Sequence, residues 1–344
     1  MSDQASITLK DVARRAGVSI ATVSRVLNHT GYVSPEVETR VREAVDALGY
    51  YQNYIARSLK TNSTMTIGLI TADISNPYII TVAKAVEDVI HAQNYNLLMC
   101  STNGDPEQEL ECMKLLMGRN IDGLLLNGTG YNEAFVSGIS VRIPLVLIHR
   151  RYLLPSNNYD LVDSDNEAGV YNLTRHLISF GHRRIFVIKG SGNTSSHMER
   201  FQGFCRAMAE IGVAVDKAYP YQYDGNFTRQ SGFLAIEKLC SLPAPPTAII
   251  ALNNTMAVGA LEGLKANHLN VPEDISIASY NNVEYRDLMA VRPTVHDVDP
   301  REIGLLAGHA LLERLASPKL PVREFIVEGR VIPGNAVSIP TATV

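Results

Sequence analysis

The chain has 344 residues, of which 46% are hydrophobic and 19% are charged, and its net charge is −4. This length and composition exclude a disordered chain and predict a globular protein of two or more domains, without the positive charge of a general nucleic-acid binder. Four widely spaced cysteines without a C-x-x-C pair favour free thiols in a reducing compartment over disulfides, and no pattern for a metal or a cofactor accompanies them.

The start of the chain carries no export signal, since residues 1–6 are polar and lack an apolar core. No apolar run approaches the roughly 18 residues of a membrane-spanning helix. We therefore expect a cytoplasmic protein with no membrane partner. Its free thiols would be Cys100, Cys112, Cys205 and Cys240.

Charge is distributed unevenly along the chain. Residues 1–62 hold eight Lys and Arg against six Asp and Glu, a balance of +2, whereas the rest of the chain holds 23 against 29, a balance of −6. A small basic module on an acidic body is typical of a protein that contacts DNA through that module alone.

The first predicted elements are two short helices joined by a tight turn. Thr8 lies three residues before Asp11, a helix-start pattern, and apolar residues then recur at helical spacing. Gly17 provides the backbone freedom that a turn requires, and Ser19 can cap the second helix. This arrangement predicts a helix-turn-helix.

A third helix is predicted to complete a small core. Ser34 followed by Pro35 is a cap followed by proline at the first helical position, and Gly49 ends the apolar pattern. Three amphipathic helices can bury one core, and residues 1–52 are therefore predicted to form the first domain.

The second helix carries the residues that decide between two interpretations. Arginine suits the acceptors of guanine, hydroxyls suit phosphate oxygens, and small apolar groups suit the thymine methyl. The helix provides all three kinds, namely Ile20, Ala21, Thr22, Ser24 and Arg25. These residue types favour a DNA-reading helix, although a purely structural helical hairpin remains an alternative.

The sequence of residues 8–28, TLKDVARRAGVSIATVSRVLN, resembles the DNA-binding signature of the lactose-repressor (LacI/GalR) family, as do GYVS at 31–34 and GY at 49–50. The resemblance implies that Ile20, Ala21 and Arg25 face base edges, whereas Thr22, Ser24 and Asn28 hold phosphates. The full DNA-binding set predicted in this way is Thr8, Ser19, Ile20, Ala21, Thr22, Ser24, Arg25, Asn28, His29, Tyr50, Asn53, Ala56, Arg57 and Leu59.

Residues 53–60, NYIARSLK, are similar to the hinge helix of the same family, within a predicted linker at 53–62. In the family this helix orders on DNA, and its leucine, matched by Leu59, wedges into the minor groove at a cost of roughly a few kcal/mol. The alternative for Leu59 is a packed leucine in a linker. Gln52 stands where the family usually has proline.

From residue 63 to residue 344 the sequence alternates short apolar runs with amphipathic stretches. This rhythm predicts mostly parallel sheets covered by helices. The predicted strands are 67–70, 96–100, 123–126, 145–148, 185–188, 248–252 and 275–279. The predicted helices are 81–91, 108–119, 170–180 and 255–266.

The family resemblance extends over this body, including the loops at 73–78 and 181–185, and implies two lobes like those of periplasmic binding proteins. We place one lobe at 65–163 plus 295–325 and the other at 164–294 plus the C-terminus. The final residues show no leucine heptad, so we expect a homodimer rather than a tetramer.

The resemblance also implies an effector site between the lobes. Arg200 matches an arginine that grips effector oxygens, and Phe227 and Tyr78 match aromatic walls; the alternatives are a surface charge and ordinary core aromatics. The predicted effector-binding residues are Tyr78, His149, Asp165, Arg200, Phe227, Asn253 and Asn281.

Several positions depart from the family pattern by losing a carboxylate. His149 and Asn254 stand where aspartate is frequent, and Asn281 and Asn282 replace a paired Asp-Asp, whereas Asp165 is retained. The losses leave Arg200, with Arg150 or Arg151, uncompensated. We therefore hypothesise an anionic or carbonyl-rich effector, such as a sugar acid or a phosphorylated sugar.

An enzyme and a solute-binding transport protein are the alternative function classes. The histidines His149, His176, His182 and His197 with Asp165 could suggest acid–base catalysis, but no nucleophile elbow, P-loop or zinc-spaced set supports an enzyme. Gly190-Ser-Gly192 lacks the third glycine of a dinucleotide site. A solute-binding transport protein would share the two lobes, but the N-terminal module argues against it.

The sequence therefore predicts a transcriptional repressor with an all-α helix-turn-helix domain and a two-lobed α/β effector domain. Its affinity for a roughly palindromic DNA operator would be controlled by a small sugar-like effector through allosteric linkage. Induction and co-repression both remain open.

Overall fold

The computed structural model describes residues 7–28, 30–50, 63–155, 158–190, 192 and 194–340. The chain divides into two compact units, Met1–Thr64 and Met65–Val344. Among the described residues, no helix is long and apolar enough to cross a membrane.

The first unit is a three-helix bundle with helices α1 (Leu9–Ala16), α2 (Ile20–Asn28) and α3 (Pro35–Leu48). One valine from each helix, Val12, Val23 and Val41, is fully buried where the helices meet. The predicted helix-turn-helix and the third helix are therefore confirmed.

The second unit is an α/β structure whose elements alternate along most of the chain. Its strands are β1 (Thr66–Thr71), β2 (Asn96–Ser101), β3 (Gly123–Leu126), β4 (Leu145–Ile148), β5 (Tyr159–Ser164), β6 (Ile185–Lys189), β7 (Gln222–Asp224), β8 (Ala248–Ala251), β9 (Ser276–Tyr280), β10 (Thr294–Asp297), β11 (Arg323–Val327) and β12 (Arg330–Ile332). Its helices are α4 (Pro77–His91), α5 (Pro106–Gly118), α6 (Glu133–Ser140), α7 (Asn166–Ser179), α8 (Ser195–Glu210), α9 (Arg229–Cys240), α10 (Asn254–Ala266) and α11 (Pro300–Ala316).

The described strands form two sheets, one in each lobe. The first-lobe sheet has the order β11-β5-β4-β3-β1-β2, and the second-lobe sheet has the order β12-β10-β9-β8-β6-β7. All of the pairings are parallel except that of β10 with β12. The predicted two-lobed fold with mostly parallel sheets is confirmed.

One predicted lobe boundary was wrong. Strand β10 was assigned to the first lobe, but it pairs with β9 and β12 and so completes the second-lobe sheet. The chain returns to the first lobe only after residue 297. The error arose because the polar residues of β10 gave no strand signal of their own.

A buried ion pair fixes the returning segment in the first lobe. Asp160 on β5 and Arg314 on α11 are both fully buried and lie 2.6 Å apart. Arg323 on β11 also donates to Asp160, through its backbone N–H at 2.9 Å and its Nη2 at 2.8 Å. One carboxylate thus joins β5 to two elements that lie about 150 residues later in the chain.

Candidate nucleic-acid interface and effector cleft

The turn between α1 and α2 has the geometry that the sequence predicts. Gly17 has a φ of 66°, the left-handed region that favours glycine. Ser19 caps α2, since its Oγ accepts the N–H of Thr22 at 3.1 Å and lies 2.8 Å from the Thr22 hydroxyl. The cap therefore fixes the start of α2.

The outward face of α2 presents the residues predicted to read bases. Ile20, Ala21 and Arg25 are exposed, whereas Thr22 and Ser24 are half-buried beside them. Ile20 is 48% exposed, so its side chain is accessible to a DNA base edge. An exposed arginine beside small apolar tips has the chemistry needed to read a major groove.

Two other predicted DNA contacts have local structural roles. Thr8 is exposed, and its N–H and Oγ–H donate to the carboxylate of Asp11 at 3.0 and 2.6 Å, which fixes the start of α1. Tyr50 is only 9% exposed and packs into the three-helix core. Its ring therefore supports the bundle, and a direct contact of Tyr50 with DNA stays a prediction.

Some predicted DNA-binding residues cannot be placed. The linker residues Asn53, Ala56, Arg57 and Leu59, and also His29, lie outside the described residues. Asn28 ends α2, but only its backbone is described.

The effector cleft lies between the two lobes, at the carboxyl ends of the parallel strands. His149 follows β4, Asn281 follows β9, and Asn253 follows β8 closely. Such strand ends converge on the crevice of open α/β sheets. Together with Tyr78, Arg200 and Phe227 they line an inner cavity of about 80 Å³.

Asp165 is the predicted effector residue that the structure does not bring to this wall. Its side chain is exposed, and its Oδ1 accepts the N–H of Ala168 at 3.0 Å to cap α7. The carboxylate has a structural partner at the start of α7, and a role of Asp165 in effector binding stays a prediction.

Three of the cavity residues have strained backbones. His149, Phe227 and Asn281 have φ angles of 61°, 64° and 65°. Such left-handed conformations cost about 1–3 kcal/mol each and concentrate at functional sites. Asn253 supports Phe227, since its Nδ2 donates to the Phe227 carbonyl at 3.0 Å while its Oδ1 caps α10 by accepting from Met256.

Several polar atoms of the cavity wall are buried without a hydrogen-bond partner. These are the Tyr78 hydroxyl, Oδ1 of Asn127, both ring nitrogens of His149 and Oδ1 of Asn281. Burial raises the pKa of Tyr78 well above its ordinary value, so the phenol is a neutral donor. Leaving such groups unpaired costs about 1–3 kcal/mol each, which a polar ligand would recover.

His149 also approaches a buried acid behind the cavity. Its Nδ1 lies 3.6 Å from Oδ1 of Asp163, which is beyond hydrogen-bond reach and forms an ion pair only when the imidazole is protonated. Asp163 Oδ1 already accepts from the N–H of Ser164 at 2.7 Å. The His149 ring remains available to a ligand.

Arg200 is held rigidly in the cavity wall. Its Nε donates to Asn166 at 2.8 Å, its Nη1 donates to the Leu252 carbonyl at 2.9 Å, and its guanidinium lies 4.0 Å from the ring centroid of Tyr280. No carboxylate of the described residues lies within 4 Å of it. Arg200 therefore lacks a direct salt bridge among the described residues, and Asn166 links it to the carboxylates of Asp163 and Glu199 by donating to both.

Residues missed by the sequence reasoning complete the site. Arg150 was not among the predicted effector-binding residues, but it lines the cavity. Its guanidinium lies 5.9 Å from the ring centroid of Phe227, across the cleft. Asn127 follows β3, so the strand-end rule could have found it. Asn76 and Asn254 join the lobes by two reciprocal hydrogen bonds between their side-chain amides, with N–O distances of 3.0 and 3.4 Å. No local sequence pattern predicts this pair.

Comparison with known proteins gives matches over both units. Residues 8–53 match the family described as "Bacterial regulatory proteins, lacI family". Residues 64–314 match "Periplasmic binding proteins and sugar binding domain of LacI family".

Similar curated proteins include the HTH-type transcriptional repressor PurR of Vibrio campbellii, which is 33% identical over 330 residues, covering 96% of this chain and 98% of that protein. PurR of Haemophilus influenzae is 33% identical over 92% of this chain and 94% of its own length.

Similar solved structures include a complex of the transcriptional regulator CelR with cellobiose, at 25% identity and a TM-score of 0.71, covering 96% of this chain and 99% of that one. The lac repressor dimer bound to operator and the anti-inducer ONPF has 21% identity and a TM-score of 0.82, covering 97% and 99%. The latter likeness is one of fold.

A helix-turn-helix unit and a two-lobed unit with a polar cleft define a DNA-binding transcriptional repressor with an effector-binding domain. The chain belongs to the LacI family of bacterial regulatory proteins.

Proposed function

We propose that this repressor is a homodimer whose affinity for a roughly palindromic operator is set by a small anionic or carbonyl-rich sugar derivative bound between the lobes. The observation that carries the proposal is the inner cavity, where two arginines, Arg150 and Arg200, meet unpartnered polar atoms. A buried cation without a carboxylate partner is stabilised by a ligand that supplies oxygen acceptors.

The amides that replace carboxylates around the cavity support an anionic ligand. A carboxylate at Asn281 or Asn254 would compete with the ligand for the arginines, whereas an amide adds no charge. The lining carboxylate among the described residues is Asp73, and its Oδ1 already accepts from the N–H and the hydroxyl of Ser75 at 2.8 and 2.7 Å.

A sugar-like body is supported by the family description, by one solved relative and by the unpartnered atoms, whereas the name of the PurR relatives states no sugar. The matching family description includes a sugar-binding domain, and CelR was solved with cellobiose. Oδ1 of Asn127 and Oδ1 of Asn281 are acceptors without a donor, and a ligand hydroxyl is the donor that would satisfy them. A neutral sugar is the second candidate because these two atoms need no charge.

Regulation would follow from the contacts that join the lobes. Besides the Asn76–Asn254 pair, the N–H of Arg151 donates to the Ser195 hydroxyl at 2.9 Å, and Arg151 Nε lies 3.4 Å from Glu199. An effector shifts operator affinity only by its differential affinity for the arrangements that keep or break such contacts. Either induction or co-repression is compatible with this linkage.

A second copy of the chain would supply the second reading helix and cover exposed apolar groups. Leu98 on the edge strand β2 is 37% exposed and Leu115 on α5 is 52% exposed. In the second lobe, Tyr285 and Leu288 are 70% and 84% exposed. Sedimentation of the full chain should give a dimer, and a monomer that still binds a palindrome at full affinity would refute this part.

The proposal is tested by selecting bound genomic fragments to obtain the operator, and then titrating the complex with matched neutral and acidic sugars. We expect acidic compounds to change operator affinity and to bind in calorimetry. Tight binding of a neutral sugar with no binding of its acidic analogues would overturn the anionic assignment.

A further inference from the structure

A second, larger space adjoins the inner cavity between the same two lobes. This space, which we call the vestibule, has a volume of about 570 Å³, against about 80 Å³ for the inner cavity. Both are lined by Ala72, Asp73, Arg150 and Phe227. Ligand sites usually have about 300–1,000 Å³, so an effector held in the inner cavity would extend into the vestibule.

The first turn of α8 lies where the two spaces meet. Thr194 precedes the helix and lines the vestibule, whereas Ser196 and Arg200 line the inner cavity. The first N–H groups of any helix lack acceptors within the helix and carry a partial positive charge. A 16-residue helix therefore presents its positive end to the junction.

The side chain of Thr194 gives a second, independent sign of a ligand at the start of α8. The residue is only 4% exposed, and its hydroxyl has no hydrogen-bond partner. A threonine before a helix usually accepts an N–H of the first turn, but Thr194 makes no such bond. Its hydroxyl is thus left to donate to a ligand in the vestibule.

Arg150 has no salt bridge among the described residues, and its Nη1 donates to the Gly128 carbonyl. Burial lowers its pKa to about 10, helped by the charge of Arg200 and opposed by that of the buried Glu109. Arg229, the other arginine of the vestibule wall, is already paired with Glu262. Asp73 is the carboxylate among the described vestibule residues, and its Oδ1 accepts both Ser75 bonds.

The inner cavity has a different chemistry. Its unpartnered acceptors on Asn127 and Asn281 need hydroxyl donors, and the neutral phenol of Tyr78 can donate to a ligand oxygen. Nε and Nη1 of Arg200 already donate hydrogen bonds to the Asn166 side chain and the Leu252 carbonyl. These groups suit a hydroxyl-bearing body, and the small volume leaves no room for a bulky anion as well.

We propose that the effector is a phosphorylated polyol whose hydroxyl-bearing body fills the inner cavity and whose phosphate lies in the vestibule. There the phosphate accepts from the Thr194 hydroxyl and the first N–H groups of α8 and pairs with Arg150. A phosphate provides several acceptor oxygens on one centre, which matches donors that converge from a helix end and a guanidinium. This assignment rests on the proposed function, since it specifies where the negative charge of the effector is held.

The probe is inorganic phosphate, titrated calorimetrically into the full-length chain in chloride buffer of matched ionic strength. We expect binding in the millimolar range that weakens at least fivefold in Thr194→Val, which keeps the side-chain shape and removes only the hydroxyl. Thr255→Val, in the vestibule wall on α10, is the matched control and should bind phosphate as the unmodified chain does. Unfolding midpoints without phosphate show whether both variants are folded.

Absence of phosphate binding, or equal binding by Thr194→Val, overturns the inference. Equal losses in both threonine variants overturn it as well, because the effect would not belong to the start of α8. If acidic sugars still control operator binding in those cases, the proposed function survives without the vestibule site. If phosphate binds as expected but no acidic compound changes operator affinity, the proposed function fails, and with it the phosphorylated effector, whereas anion binding at the start of α8 stands.

Discussion

Asn281 combines a left-handed backbone, burial and an unpartnered carbonyl oxygen. Replacing it by aspartate changes few atoms but adds a negative charge to the cavity that holds Arg200. We expect Asn281→Asp to weaken binding of an acidic effector by roughly tenfold or more, because the new carboxylate repels the anion. A repulsion of about 1.4 kcal/mol lowers the affinity tenfold. Calorimetry with that effector checks the change.

Asn267→Asp is the matched control, since it adds the same charge at the exposed end of α10, outside the cavity lining. It should leave the affinity unchanged. Tighter binding of the acidic effector by Asn281→Asp would contradict the role of positive charge in the cavity.

Arg25 is the exposed guanidinium of the reading helix. We expect Arg25→Ala to reduce specific operator binding by about 1–3 kcal/mol and to relax discrimination at one base position. Gel-shift titrations with operator and random DNA at fixed salt provide the measurement. Arg42→Ala on α3, which removes an exposed arginine paired with Glu38, should preserve discrimination; loss of discrimination in both variants would refute the special role of Arg25.

At the scale of single residues, strand ends allowed much of the site to be predicted. His149, Asn253 and Asn281 lie where the sequence placed them, because each follows an apolar run. Asp165 lies outside the lining of the inner cavity, because a residue after a strand can also cap the next helix. Thr194 gave no signal at all, since an N-cap threonine normally satisfies itself.

At the scale of elements, the success of the prediction followed apolar character. The seven predicted strands correspond to β1–β4, β6, β8 and β9, whose residues are mostly apolar. The unpredicted β5 carries Asp160 and Asp163, and both are fully buried. Burial of these aspartates requires partners that are distant in sequence, such as Arg314 for Asp160. No local sequence pattern predicts such partners.

The pairing of Asp160 with Arg314 and Arg323 gives a prediction at this scale. Asp160→Asn removes the charge that balances a fully buried guanidinium, so we expect the free energy of unfolding to fall by about 3–5 kcal/mol. Urea unfolding measures the change. Glu210→Gln, which breaks the exposed pair with Arg175, should lower the free energy of unfolding far less, because water screens that pair. Similar losses for both variants would show that burial does not control the strength of the Asp160 cluster.

For the whole molecule, a buried histidine predicts how stability depends on pH. His296 is 3% exposed and stacks on Tyr280 with ring centroids 5.3 Å apart. Burial, followed by the charge of Arg200, lowers its pKa to about 4, while Asp165 opposes the shift. The unfolded chain then binds a proton near pH 6.5 that the folded chain refuses, so stability falls as the pH drops from about 6.5 to about 4.

The contribution of His296 amounts to about 3 kcal/mol at most, from the difference between its folded and unfolded pKa values. We expect His296→Gln to flatten this part of the pH profile of the unfolding free energy. His176→Gln is a comparison, since burial lowers the pKa of that histidine as well without a neighbouring arginine among the causes. An unchanged slope in His296→Gln would show that other groups produce the acid sensitivity.

The order in which the sheets are completed has a consequence for synthesis of the protein. Strand β11 closes the first-lobe sheet beside β5, and β10 and β12 close the second-lobe sheet beside β9. Neither sheet is complete until residues 294–332 have been translated. A nascent chain that stops near residue 290 leaves β5 and β9 as strand edges without their neighbours, and unpaired strand edges favour aggregation. Premature stop codons in this gene should therefore yield aggregated or degraded fragments, never a working single lobe, and a soluble single lobe would need a rearranged gene that joins the two separated pieces.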